Sequence, residues 1–240
     1  MLFRLAAAGA SYAFLLTTAS AAIPAASAPS DPSAALMARV IAVNAQADRG
    51  LIGFETDSHL LAHAGIFRRD QEERRWFVLD DGVLTRTGLR PGTDGPFGKD
   101  AGEQKHEPWG PYGSEYQFLS RPCQHCAAGV VAVDFESEMR DLKHGHGTLL
   151  VDENRARVLH ETFVPYVLKA PARTATIETD FGKTPVGWFP LTLTGAFTGR
   201  LGLFSGSADL SETYEGYRRF NSLDEAVAAF QTDTSPSPSS

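Results

Sequence analysis

The 240-residue sequence has few of the features that mark a cytosolic enzyme or a nucleic-acid-binding protein. It contains two cysteines, its net charge is −7, and its lysines and arginines form no long basic run. We therefore expect no nucleic-acid partner, since binding to phosphates depends on lysine and arginine. The sequence also lacks a phosphate-cradling glycine loop, a helical H-E-x-x-H and a G-x-S-x-G pattern, so an enzyme is not favoured.

Long apolar runs are also absent, apart from one at the start of the chain. Residues 1–21 carry Arg4, an apolar stretch and small residues at Ala19 and Ala21. This layout is typical of a secretory signal peptide, and the apolar stretch is too short for a permanent transmembrane helix. We expect an exported protein, periplasmic or secreted, with no stable membrane anchor after signal cleavage.

The rest of the sequence divides by composition into three parts. A linker rich in proline, serine and alanine covers 22–33, and a single β-rich domain covers 34–230. The final residues, 231–240, are of low complexity and are predicted to be a disordered tail. A single sheet-rich domain of this length is ordinary.

An amphipathic helix is predicted at each end of the domain. In the first, Leu36 and Val40 share one helical face, and Ser33 can cap the start. The second, "SLDEAVAAF", begins with a capping box formed by Ser222 and Glu225.

Between the helices, apolar and polar residues alternate, which predicts β-strands. We expect a long strand or a broken pair over 51–67, a polar turn at "DQEE" (70–73) and a hairpin turn at Asp81-Gly82. Residues 88–114 are dense in glycine, proline and charge and are predicted to form a long loop.

No β-α-β alternation is present, so a parallel sheet is not expected. The order of elements predicts a mainly β (α+β) fold. In this fold a large curved antiparallel sheet, or an incomplete barrel, is covered by the N-terminal helix and a short C-terminal helix.

The second half of the sequence has a distinctive succession of strands and turns. "GHGTLLVDENRARVLHETFVP" runs from a glycine through an apolar strand and a polar turn into a returning strand, and "VGWFPLTLTG" and "ETYEGYRRF" follow. Over residues 34–220 this pattern resembles the LolA/LppX-like group of exported lipoprotein-carrier folds. The resemblance implies an incomplete β-barrel, lidded by helices, around an apolar cavity for acyl chains, with a lipid or a lipidated protein as partner.

Apolar residues at inward-facing strand positions are the candidate lining of such a cavity. They are Ile52, Phe54, Trp76, Val78, Phe135, Phe163 and Phe189. The alternative is that these side chains form a packed core.

Arg218 is a further candidate for ligand binding. It lies in "ETYEGYRRF", where strand alternation directs Tyr214 and Phe220 inward, Tyr217 outward and Arg218 to the apolar side. An unpaired charge there is costly, so Arg218 either pairs with a carboxylate in the core or binds an anionic headgroup.

Both cysteines lie in "RPCQHCAAG", at Cys123 and Cys126, with His125 between them. In an exported protein a disulfide is the favoured interpretation. An active dithiol is less favoured, because such centres start a helix and "AAGVVAVDF" is strand-like. A zinc site is the third possibility, in which Cys123, His125 and Cys126 combine with His144 and His146.

These observations together favour an exported, non-enzymatic binding or carrier protein with an apolar cavity for a lipid or acyl chain and no cofactor. Two alternatives stay open. One is an exported metal-binding protein that uses the cysteines and neighbouring histidines. The other is a hydrolase that uses the 88–114 loop as a lid.

Overall fold

The structure, a computed structural model, describes residues 32–47, 49–89, 115–201 and 204–232. Within these ranges the chain forms two helices and ten strands. In chain order they are α1 (Pro32–Ala47), β1 (Leu51–Ala64), β2 (Phe67–Asp80), β3 (Val83–Leu89), β4 (Tyr116–Pro122), β5 (Val130–Ser137), β6 (Gly145–Asp152), β7 (Arg157–Pro165), β8 (Ala172–Thr184), β9 (Gly187–Leu201), β10 (Phe204–Phe220) and α2 (Leu223–Thr232).

Several predicted segments lie outside the described residues. These are the signal peptide over 1–21, nearly all of the linker, residues 90–114 of the long loop and residues 233–240 of the tail. Their predictions stand as predictions.

The described strands form one curved antiparallel sheet that does not close. Its order is β3-β2-β1-β10-β9-β8-β7-β6-β5-β4, so the first three strands join the rest through the pairing of β1 with β10. The described parts of β3 and β4 form its two edges. The predicted fold class is therefore confirmed: a large curved antiparallel sheet with an N-terminal and a short C-terminal helix.

The register of the sheet defines which residues share a face, because residues directly opposite in paired strands point the same way. One row crosses seven strands: Phe135, Gly147, Phe163, Ile177, Gly195, Leu210 and Leu60. On β1 the same alternation continues from Leu60 to Phe54 and Ile52. We call this side the α1 face, because α1 packs on it, and the opposite side the α2 face.

The turns between strands lie at two ends of the sheet. The near end carries the turns at 81–82, 123–129, 153–156 and 185–186, and the far end carries those at 65–66, 138–144 and 166–171, with the start of β10. Both helices contact residues of the near half. Neither described helix has the length and apolar character needed to cross a membrane.

Helix α1 covers the α1 face over strands β4 to β7. Its buried side chains Leu36, Met37 and Val40 pack on the strands β5 to β7. The strand residues in this contact are Val133, Phe135, Leu149, Val151 and Val158. The burial explains the predicted amphipathic pattern, since a sheet with one apolar face needs a cover.

The start of α1 differs from the prediction. The helix begins at Pro32, whose fixed φ suits the first helical position, and Ser33 lies inside it instead of capping it. The Oγ atom of Ser33 accepts a hydrogen bond from the backbone N–H of Ser120 on β4, at 2.8 Å. Ser33 therefore joins the helix to the sheet edge.

The hairpin between β1 and β2 corrects a second prediction. The segment "DQEE" (70–73) is not a turn. It is part of β2 and pairs with residues 58–61 of β1. The chain reverses instead at Gly65 and Ile66, where Gly65 has a φ of +58°. The predicted turn at Asp81-Gly82 is confirmed, with positive φ at both residues.

A bulge in β10 changes the side-chain directions predicted for "ETYEGYRRF". Gly216 adopts a φ of +67°, and the register of β10 against β1 shifts at this point. As a result Tyr214 and Tyr217 are both buried in one cluster on the α1 face. Phe220 lies on the α2 face, opposite Leu51. The prediction that Tyr217 points outward was wrong, because the bulge reverses the alternation.

Helix α2 packs on the opposite side of the sheet through Ala226 and Phe230. The Phe230 ring stacks on Trp76 with 5.6 Å between ring centroids. The predicted start is confirmed: the Glu225 N–H donates to Ser222 Oγ at 3.2 Å, and the Glu225 carboxylate accepts from the Asn221 N–H at 3.0 Å.

Candidate functional site

The candidate site is a groove at the far end of the sheet, mostly on the α1 face beyond the part that α1 covers. Its volume is about 710 Å³, within the usual range for small-molecule sites. The α1-face residues that line it include Leu60, Ala62, Ala64, Phe197, Gly199, Gly206 and Ala208. Arg68, Arg69 and Arg200 also line it.

Small residues create this groove. Ala62 faces Ala208 across the β1–β10 pair, and Ala64 faces Gly206, so little side-chain volume stands above the backbone there. A side chain at Gly206 would collide with the backbone oxygen of His63, at 2.4 Å from the added carbon. The groove wall is therefore apolar and shaped mainly by backbone and methyl groups.

The predicted cavity-lining residues lie elsewhere. Phe135 and Phe163 stack at 6.3 Å between ring centroids within the cluster under α1. Ile52, Phe54 and Phe189 belong to a second buried cluster on the same face, together with Tyr217. These residues form packed core, which was the alternative left open by the sequence.

Trp76, Val78 and Arg218 are separated from that set by the sheet itself. Trp76 and Val78 pack against α2. The Arg218 guanidinium lies over the rings of Phe220 and Phe230, 5.4 and 4.7 Å from their centroids. A common lining for all eight predicted residues is thus not formed, because consecutive strand positions alternate between faces.

Cys123 and Cys126 form a disulfide, with 5.4 Å between their Cα atoms. The favoured prediction is therefore confirmed. The disulfide closes the turn that links β4 to β5 at the near end, and His125 is exposed within it.

The predicted zinc ligands do not come together. His144 and His146 lie at the start of β6, at the far end, whereas the disulfide lies at the near end. His144 is buried, and its Nδ1 lies 2.6 Å from the Asp141 carboxylate, which raises the pKa of the histidine. His146 stacks on Tyr166 instead. Within the described ranges, no group of three or more suitable side chains is arranged for a metal.

Glu161 is a polar residue of the α1 face that sequence reasoning missed. It lies on β7 opposite Leu149 and Thr179, and it is buried. This burial raises the pKa of its carboxyl group to about 7, because a charge is poorly solvated away from water.

Sequence reasoning also missed the groove, because it considered large apolar side chains as the lining of a cavity. A usable signal was present: alanine and glycine recur at alternate positions, as Ala62 and Ala64 on β1 and as Gly206 and Ala208 on β10. Small residues at alternate strand positions leave space above one face of the sheet, which a ligand can occupy.

No family model and no curated protein matches the chain. Similar solved structures include a LolA superfamily protein from Nitrosomonas europaea, at 10% identity and a TM-score of 0.38, covering 84% of this chain and 98% of that one. A DUF1329 family protein from Desulfovibrio piger is 9% identical with a TM-score of 0.44, covering 84% and 100%.

A third similar structure is a putative outer membrane lipoprotein-sorting protein domain from Vibrio parahaemolyticus. It is 12% identical with a TM-score of 0.40, covering 78% of this chain and 94% of that one. The likeness to these structures concerns the fold. The open sheet with its covering helix agrees with the incomplete, helix-lidded barrel that the sequence resemblance implied.

Proposed function

We propose that this chain is an exported, non-enzymatic binding protein that carries an apolar group, such as an acyl chain, in the far-end groove. One observation carries the proposal. Described helix α1 packs on strands β4 to β7, and a mainly apolar groove of about 710 Å³ lies beyond it on β1, β8, β9 and β10. Apolar surface of this kind is stabilised when an apolar ligand removes it from water.

The proposed location is the periplasm or the extracellular space. The signal-peptide pattern in residues 1–21 supports export, and the Cys123–Cys126 disulfide is typical of an oxidising compartment. A lipid or a lipidated protein is the proposed source of the apolar group.

The proposal is tested by filling the groove. Ala208 and Ala196 are matched positions, since Ala208 lies on β10 in the groove and Ala196 lies exposed on the opposite face of β9. We expect Ala208→Trp to weaken binding of cis-parinaric acid, a fluorescent fatty acid, about ten-fold or more, because the indole occupies the ligand's volume. Ala196→Trp should bind like the unaltered protein.

Fluorescence titration measures both variants, and circular dichroism checks that each is folded. Equal affinity of both variants for the probe would overturn the groove as the site. Absence of probe binding by the unaltered protein, together with native mass spectra that show a bare chain after mild isolation, would overturn carriage of an acyl chain.

The two other sequence-based hypotheses gain no support. The 88–114 loop of the hydrolase hypothesis lies almost wholly outside the described residues. The metal hypothesis loses its ligand set, because the two sulfur atoms are bonded to each other and the two histidines lie at the other end of the sheet.

A further inference from the structure

Exposed apolar side chains gather at the far end of the sheet. Ile66, at the tip of the β1–β2 hairpin, is 91% exposed, and Phe204, at the start of β10, is 47% exposed. The two are neighbours, since the ring of Phe204 lies against Gly65, where an added carbon would be 2.7 Å from it. Val167, in the β7–β8 turn of the same end, is 40% exposed.

Positive charge gathers at the same place. The segments 60–69, 166–177, 195–201 and 204–208 meet at this end and contain no aspartate or glutamate, whereas the turn at 138–144, also at the far end, carries Glu138 and Asp141 beside Arg140 and Lys143. They carry five exposed basic residues, Arg68, Arg69, Lys169, Arg173 and Arg200. Asp70, the acid that follows on β2, pairs with Arg68 at 3.3 Å and with His59 at 2.7 Å. The part of the far end that β1, β2 and β8 to β10 form is therefore basic, although the whole chain has a net charge of −7.

Apolar tips surrounded by basic side chains fit one kind of partner. The acyl region of a bilayer accepts apolar side chains, and anionic headgroups attract arginine and lysine at its surface. Contiguous exposed apolar side chains, unlike single scattered ones, are typical of interaction sites, and Ile66 and Phe204 lie side by side. We propose that the far end is a docking surface for a bilayer that contains anionic phospholipid, with Ile66 and Phe204 inserted and the basic residues at the headgroups.

Docking by this surface goes beyond ligand carriage in the groove and does not depend on it. Arg68, Arg69 and Arg200 line the groove and also belong to the docking surface. A docked protein would therefore present the mouth of the groove to the bilayer. The two ideas can fail separately. The groove-filling variant Ala208→Trp should still dock, and the tip variant Ile66→Ser should still bind cis-parinaric acid.

The test is flotation with lipid vesicles. One set contains phosphatidylcholine alone, and in the other about a third of the lipid is phosphatidylglycerol. We expect the protein to float with the anionic vesicles and much less with the neutral ones. Raising the salt from about 0.1 M to about 0.5 M should weaken binding, because exposed charges are then screened.

Two pairs of variants separate the apolar and the charged contributions. Ile66→Ser with Phe204→Ser should lower binding to anionic vesicles about ten-fold or more. Arg69→Gln with Arg173→Gln should lower it about thirty-fold, since each basic residue near the surface contributes to the attraction. The substituted side chains are exposed, so the fold should tolerate both changes.

Matched controls lie away from this end. Val83→Ser with Leu119→Ser removes two other exposed apolar side chains, and Arg86→Gln with Arg155→Gln removes two other exposed arginines. Both controls should bind like the unaltered protein. Equal flotation with neutral and anionic vesicles, or equal loss in test and control variants, would overturn the proposal. Sedimentation of a dimer that Ile66→Ser dissociates would assign the tip to self-association instead.

Discussion

Glu161 shows how a single residue can set the pH dependence of this fold. Its carboxyl group lies between Leu149 and Thr179 on the α1 face, and its pKa is about 7 because it is buried. In the unfolded chain the same group is exposed and titrates near its ordinary value of about 4.5. Between these values the folded protein keeps a proton that the unfolded chain has released, so stability falls as pH rises.

We expect Glu161→Gln to remove this loss. The glutamine stays neutral, so the variant should gain about 3 kcal/mol relative to the unaltered protein at pH 8 and little at pH 4.5, as the pKa difference predicts. Urea denaturation at the two pH values measures the difference.

Glu178→Gln, at an exposed site on the next strand, is the control. It should shift stability equally at both pH values. A Glu161→Gln effect that does not change with pH would show that the carboxyl group is not held protonated by burial.

At the residue scale, prediction from sequence succeeded where local chemistry decides. The disulfide followed from two cysteines and the expected compartment. Prediction from sequence failed at Tyr217, because the bulge at Gly216 depends on the pairing of β10 with β1, a strand that is distant in the sequence.

At the scale of an element, helix α2 depends on its packing against the sheet. It is short, so its stability depends on docking more than on intrinsic helix propensity. Phe230 is fully buried, and Gly53 provides its space: a carbon added there would be 2.6 Å from the Phe230 ring. The Phe230 ring therefore fills the space that the missing side chain of Gly53 leaves on the α2 face.

We expect Phe230→Ala to lower the free energy of unfolding by about 3 to 5 kcal/mol, through lost burial and the cavity left beside Trp76. Gln231→Ala, at the exposed neighbouring position, should change it little. Urea denaturation monitored by tryptophan fluorescence measures both. Equal effects would show that α2 does not dock through Phe230.

Elements were predicted well where periodicity and turn chemistry agree. Both helices and the Asp81-Gly82 hairpin are examples. "DQEE" was misassigned because four polar residues in a row look like a turn. In the structure they belong to a strand with charged side chains on both faces, and pairing with β1 overrides their low strand propensity.

At the scale of the whole molecule, the pairing of β1 with β10 is the longest connection. It joins residues about 140 to 170 positions apart, whereas β5, β6 and β7 pair through short turns. Closing a long loop costs more entropy, and contacts between distant residues form late.

We expect backbone amides of β6 to gain protection from hydrogen exchange during refolding before those of residues 214–220 of β10, which pair with β1 and not with β9. Pulsed exchange with mass spectrometry can follow both strands in one experiment. Amides within the β2–β3 hairpin serve as a local reference. Protection of residues 214–220 before β6 would show that the distant pairing nucleates the fold.

The curved antiparallel sheet was predictable from the sequence, but the position of the groove was not. Alternation along strands specifies that one face is apolar, and it does not specify how far a helix extends over that face. The length of α1 and its position across β4 to β7 determine which part of that face it covers. The large apolar residues singled out in the sequence therefore indicated the core, and the groove is lined by other residues.

An open sheet has edges, and the hydrogen bond from Ser120 to Ser33 bears on how this protein avoids aggregation. The N–H of Ser120 is a group that a strand from another molecule would use to extend the sheet. In this structure the N–H of Ser120 donates to Ser33 instead. Two positions further along β4, Pro122 has no backbone N–H that could bond to another strand. Strand addition at this part of the edge is thus opposed by a helix hydroxyl and a proline, and loss of the hydroxyl would free the N–H of Ser120 for intermolecular pairing.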